Sequence, residues 1–148
     1  MFYASYSSPL GAITVSSNGA AVVEVGFCSP TSSSDSCPIA HHAVQQLHEY
    51  FSGKRQHFEL PLAPSGTAFQ QRVWRALLTV PYGQTASYKD IASQLGDVNA
   101  VRAVGMANSR NPIAIIIPCH RIIGTDGSLT GYAGGLDKKQ WLLQHENV

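Results

Sequence analysis

NPIAIIIPCHRIIG, residues 111–124, is the stretch on which the reading of this chain turns. Asn111-Pro112 closes whatever helix precedes it, because the residue before a proline is driven out of the helical region. The apolar run 113–118 is far short of membrane-spanning length, and it predicts a buried extended segment of strand size. Pro118 fixes the backbone just ahead of the Cys119 thiol. His120 and Arg121 follow, Ile122 and Ile123 extend the chain again, and Gly124-Thr125-Asp126-Gly127 reads as a turn.

Cys119 is the residue in this run that carries chemistry. A free thiol is mostly neutral near pH 7, with a pKa of about 8.5, so a nucleophilic cysteine needs a base or a positive field. His120 supplies the base, Arg121 a charge, and Glu146 near the end of the chain a carboxylate that can orient the histidine. The competing reading makes Cys119 a small core hydrophobe. Sequence adjacency does not choose between them, since neighbours in a strand point to opposite faces.

Outward toward the N-terminus, helical spacing predicts a helix over 100–109 capped by Asn99. Another over 88–95 is capped by Ser87 and stopped at Gly96. Joined through 96–98, they form a helix-turn-helix, a device that reads DNA and that also serves as plain scaffold. Before it, Thr67 caps a helix whose stripe is Phe69, Val73, Leu77 and Val80, halted by Pro81-Tyr82-Gly83. The first part of the chain is β-rich. Strands over 2–7, 12–16 and 21–27 are joined by a turn at 8–11 and an Asn18-Gly19 hairpin. A Ser-rich loop, SPTSSSDSC at 29–37, leads to a helix over 38–51 bearing Val44, Leu47, Tyr50 and Phe51. Residues 57–60 read as one more strand. Beyond the cysteine, 131–135 holds too much glycine for regular structure, and a last helix spans 136–145.

The expected fold is α+β. A small N-terminal antiparallel β-sheet unit with a helix (1–63) and a linker (61–66) precede a mostly helical C-terminal domain (67–148) with a winged-helix-like helix-turn-helix. Of 148 residues, 44% are hydrophobic and 13% charged, which makes the chain globular, and a net charge of +1 neither announces nor excludes a nucleic-acid partner. The three cysteines, Cys28, Cys37 and Cys119, form no CxxC pair, which argues against a disulfide framework or a thiolate zinc site. A reducing compartment, the cytoplasm or nucleoid, is expected. The opening residues carry no basic region before an apolar one, so no signal peptide is expected.

The run 111–124 closely resembles the active-site signature of the O6-alkylguanine-DNA alkyltransferases, the methylated-DNA–protein-cysteine methyltransferases. Val73-Trp74, Val80-Pro81-Tyr82-Gly83, Ser87-Tyr88, Ala103-Val104-Gly105, Gly131-Tyr132-Ala133-Gly134-Gly135 and Trp141-Leu142-Leu143 with His145-Glu146 fall in family order and spacing. The resemblance implies direct, stoichiometric and irreversible transfer of an alkyl group from O6-alkylguanine onto Cys119, and leaves open whether O4-alkylthymine is a substrate as well. It implies that His120 takes the thiol proton through a water, that Glu146 polarises His120, and that Asn111 holds the turn before the active-site strand. Arg102 would fill the gap left by the extruded base, and Tyr88 would sit against the neighbouring phosphate and donate to the guanine. Ser87, Ala103, Gly105, Arg121, Tyr132 and Ala133 join the expected DNA- and substrate-contacting set, with Ala100, Ala103, Gly105 and Ala107 as the small face of the DNA-entering helix. The implied partner is double-stranded DNA containing O6-alkylguanine, met by a monomer without membrane attachment, cofactor or metal.

The sequence departs from some relatives in carrying Ala133 where they have serine and Ala114 where they have proline. Nor do Cys28, Cys37, His41 and His42 make a convincing set for the zinc some of them hold. Two other functions fit parts of the pattern. One is a damage-binding module that keeps the flipping machinery and lacks the acceptor cysteine; the other is a hydrolase built on Cys119, His120 and Glu146.

Overall fold

The computed structural model describes residues 1–29 and 37–148, so most of the expected Ser-rich loop lies outside the described residues. The chain divides into two compact units, Met1–Ser65 with Pro112–Ile116, and Gly66–Asn111 with Ile117–Val148.

The first unit is an antiparallel sheet in the order β1 (Phe2–Ser8), β2 (Gly11–Ser17), β3 (Val22–Gly26). Ser8 pairs with Gly11 at the first turn, where a φ of +102° at Gly11 is easy only for glycine. β2 is the central strand, and five successive residues from Ile13 to Ser17 are buried. Helix α1 (Pro38–Phe51) contacts the sheet and buries Ala40, Ala43, Leu47 and Tyr50, while Val44 and Phe51 are half-buried.

The strand expected over 57–60 does not form. The chain instead makes one parallel bridge at Leu62, where Pro61 accepts from Val22 and Ala63 donates back to it. Pro61 and Pro64 lack the N–H groups a longer ladder requires.

The expected extended segment at 113–117 is also corrected. Ile113 forms a single parallel bridge to Val25, held by bonds from Val25 N to Pro112 O (2.9 Å) and from Ala114 N to Val25 O (3.0 Å). The backbone then turns sharply through Ile115, whose φ of +71° is a strained value for a β-branched residue. The run is apolar and, except for the half-buried Ala114, buried as the sequence predicts, but as a turn. Cys119 consequently opens a 3₁₀ turn, Cys119–Arg121, instead of lying in a strand.

The second unit begins at α2 (Ala68–Leu77). Thr67 and Gln70 form a reciprocal capping box, and the helix buries Val73, Trp74, Ala76 and Leu77. The stripe read from spacing was thus too narrow: Phe69 is half-buried, Val80 lies beyond the helix end, and Trp74 is the large buried residue. Trp74 donates its indole N–H to Ala107 O at 2.9 Å.

After β4 (Ala86–Ser87) comes α3 (Tyr88–Gln94), capped by Ser87 with Asp90 at N3, and then α4 (Val101–Ser109). Asn99 does not cap α4. Ala100 occupies that position without a side-chain bond, and Asn99 instead donates its N–H to Asp97, which tightens the turn. β5 (Ile122–Ile123) pairs parallel with β4, and α5 (Leu136–His145) closes the unit.

Candidate active site

Cys119 is 6% exposed, and its N–H bonds to Ile117 O at 2.8 Å. Asn111 donates from Nδ2 to the same Ile117 carbonyl at 2.8 Å, closing the ends of the turn between α4 and the cysteine. Burial pushes the Cys119 thiol up. A hydrogen bond from Asn111 and the charge of Lys139 pull it down by less, so the thiol is neutral at rest.

His120 is fully buried, with Nε2 2.7 Å from Glu146 Oε2. Burial lowers its pKa below the ordinary 6.5, against the opposing pull of Glu146. The ring is therefore neutral near pH 7. With Nε2–H donating to the carboxylate, its lone pair lies on Nδ1. That atom is buried and has no hydrogen-bond partner among the described residues.

Glu146 is the C-cap of α5 and is 1% exposed. Besides His120 it accepts from Arg121, from Nε to Oε1 at 2.8 Å and from Nη2 to Oε2 at 3.1 Å. Nη1 of Arg121 donates to Val80 O at 2.8 Å, and the guanidinium stands 5.7 Å from the Tyr82 ring centroid. Arg121, expected as a DNA contact, is held inward here: Nε and Nη2 donate to Glu146, Nη1 donates to Val80 O, and the side chain is buried.

Tyr88 opens α3 and donates its hydroxyl to Thr130 O at 3.1 Å while accepting from Thr130 Oγ1 at the same distance. Ser87 is committed to the capping box. Tyr132 has a buried hydroxyl, and burial keeps it a neutral phenol. Ala133 is exposed, as are Arg102, Ala103 and Met106 on α4 and Arg110 at its C-cap. Gly105 is half-buried beside the Tyr88 ring. The expected small face is thereby divided, since Ala107 is buried and its carbonyl holds Trp74.

The structure thus joins His120 to Glu146 directly, ties Asn111 to the backbone just before Cys119, and leaves Arg102 and Ala103 on an exposed helix face. Three participants escaped the sequence reading: Lys139, Thr130 and Asn108, whose Nδ2 donates to Cys119 O at 3.4 Å. Lys139 was hidden in a Lys138-Lys139 pair that looks solvated. The signal was its spacing, three and four residues before the buried Leu142 and Leu143.

A buried thiol next in the chain to a neutral, carboxylate-held histidine, in one unit with a two-helix element showing an exposed arginine, is the arrangement expected of a cysteine-nucleophile protein of the DNA-binding type. Residues 68–148 match the family model for the 6-O-methylguanine DNA methyltransferase DNA binding domain, and residues 1–64 match that for the ribonuclease-like domain of the same proteins. The chain belongs to the 6-O-methylguanine DNA methyltransferase family.

It is 48% identical to a methylated-DNA–protein-cysteine methyltransferase of Methanosarcina barkeri, over 99% of this chain and 97% of that one. The structure resembles Mycobacterium tuberculosis OGT in complex with DNA, with a TM-score of 0.91, 46% identity, and coverage of 99% of this chain and 92% of the other. A more distant likeness is to S. pombe Atl1 bound to damaged DNA containing O6-carboxymethylguanine. There the TM-score is 0.50 and the identity 28%, over 54% of this chain and 76% of that one.

Proposed function

We propose that this protein repairs DNA by moving the alkyl group of O6-alkylguanine onto the sulfur of Cys119. The observation that carries the reading is the buried pairing of His120 with Glu146, which leaves Nδ1 of a neutral imidazole free to take the thiol proton.

The target carbon lies within the base stack, so the nucleotide must first be extruded, at a cost of a few kcal/mol. Arg102, exposed on α4, is suited to fill the gap. His120 accepts the proton of Cys119, directly or through one water, and Glu146 stabilises the resulting imidazolium. The sulfur lone pair forms the new S–C bond as the C–O6 bond breaks, and its electrons stay with the guanine. The Tyr88 hydroxyl, held by Thr130, can donate to the departing base. The proton that left the thiol restores neutral guanine by way of His120. The thioether is no leaving group at neutral pH, so each molecule reacts once and needs no cofactor. The reaction uses a reduced thiol and chromosomal DNA, which fits a monomer working in the cytoplasm at the nucleoid.

Incubation with a duplex containing O6-methylguanine should add one methyl group to the tryptic peptide bearing Cys119, with repair capped at one equivalent. Tight binding without a mass shift would replace this reading with a damage-binding module. Repeated turnover of a small ester would replace it with a hydrolase.

A further inference from the structure

The second unit carries a basic groove that the transfer mechanism above does not use. Arg72, Arg75, Ala76 and Thr79, on and just beyond α2, line a space of about 360 Å³ together with Gln94 and Leu95 at the end of α3. Hydrogen bonds fix its wall. Gln94 Nε2 donates to Thr79 Oγ1 at 3.2 Å, and the Thr79 hydroxyl donates to Ala76 O at 2.6 Å. Arg72 Nη2 donates to Leu95 O at 2.9 Å. The rim is cationic: Arg72 and Arg75 are exposed, and among the described residues neither has a carboxylate partner and no carboxylate lines the groove. Residues 66–111 carry five arginines and lysines against two aspartates, three positive charges in surplus in a chain whose total is +1. A near-neutral total thus conceals a basic three-helix segment.

We propose that this groove takes a backbone phosphate of the DNA duplex, at a place separate from the residues that handle the extruded base. The inference rests on the DNA-repair reading above. Guanidinium groups present planar N–H forks that match phosphate oxygens, and two of them stand here with no acid to neutralise them. α3 is the first helix of the two-helix element, the one that crosses the phosphate backbone in helix-turn-helix proteins, and the groove lies against its last residues. A helix carbonyl end would repel an anion, but the bond from Arg72 to Leu95 O offsets that partial charge. A phosphate contact carries no sequence information, so it adds affinity equally on damaged and undamaged DNA. A carboxylate from a second copy of the chain would meet the same donors, and the test separates the two.

The test follows binding of a fluorescein-labelled undamaged duplex to the full chain by anisotropy, from about 50 to 200 mM KCl. The logarithm of the binding constant falls with the logarithm of salt by about 0.9 for each phosphate neutralised. In Arg75→Ala the slope should be shallower by about 0.9, so its deficit in affinity should shrink about 3.5-fold across that range. Arg75→Lys, which keeps the charge, should restore most of the slope. Lys54→Ala, which removes an exposed charge from the first unit, sets the background. An Arg75→Ala slope no shallower than that of Lys54→Ala would overturn the proposal.

A second arm replaces backbone phosphates of the duplex one at a time by uncharged methylphosphonates. One position should weaken the unsubstituted protein and leave Arg75→Ala unaffected; equal losses at every position would overturn the proposal. Sedimentation of the DNA-free protein tests the other occupant. Self-association abolished by Arg75→Ala, with the salt slope unchanged, would give the groove to a second copy and overturn the proposal as well. An unsubstituted protein that shows the phosphate contact yet takes no alkyl group from O6-methylguanine would defeat the repair reading alone.

Discussion

Glu146 Oε2 lies 2.7 Å from His120 Nε2 with neither side chain reaching solvent, and this pair joins the end of α5 to the 3₁₀ turn of the nucleophile. The next residue in that turn, Arg121, takes up the same carboxylate. One buried anion therefore serves both the histidine proposed as the base and the anchoring of the last helix.

Replacing Glu146 by Gln should damage both roles. Arg121 would keep Val80 O but lose its counter-charge, and breaking a buried pair from one side costs about 3–5 kcal/mol. The imidazolium formed during transfer would lose its stabilising anion, slowing the single turnover by roughly 10²-fold. Urea unfolding and rapid-quench transfer from O6-benzylguanine check the two effects; an unchanged transfer rate in the folded variant would remove Glu146 from the chemistry.

His120 makes stability depend on pH in a definite direction. Its native pKa lies below 6.5, so between that value and 6.5 the unfolded chain binds a proton that the native state does not. Unfolding free energy then rises with pH across the window. The contribution is whole above 6.5 and is lost as pH falls through it, with a limiting slope of about 1.4 kcal/mol per pH unit. Urea titrations between about pH 5 and 7.5 should show this slope, and His120→Gln should flatten it.

Arg102 is exposed on α4, so Arg102→Ala should leave stability within about 0.5 kcal/mol. Repair of O6-methylguanine in duplex DNA should fall about tenfold or more, since the unfilled gap leaves the extruded base at its full cost. Reaction with free O6-benzylguanine should hardly change. Equal losses on the two substrates would deny Arg102 a part in base extrusion.

Trp74→Phe removes the donor that α2 presents to Ala107 O, a carbonyl that keeps its 3.2 Å bond from Arg110 N. A loss of about 0.5–1.5 kcal/mol is expected, seen as a lower urea midpoint. Transfer from the free base should be unaffected, because Trp74 touches none of the reacting groups.

The strands of the first unit, α1, the Ser87 and Thr67 caps, and α5 were legible because alternation, helical spacing and capping chemistry are local. Asn99 misled because Asp97, two residues earlier, competes for its backbone. The run 113–117 misled for a different reason: burial and apolarity are common to a strand and to a buried turn, and nothing local announces a positive φ at Ile115.

The residues of the site divide in the same way. The sequence alone determined that Cys119 is a candidate nucleophile with His120 and Glu146 in attendance, because residue type and order suffice to name a thiol, a base and an acid. Only the tertiary structure decided that Arg121 turns inward to Glu146, that Lys139 is buried against the carbonyls of Ile122 and Thr130, and that both thiol and imidazole rest neutral. Those outcomes follow from desolvation and charge pairing, which depend on the neighbours folding brings together from distant parts of the chain.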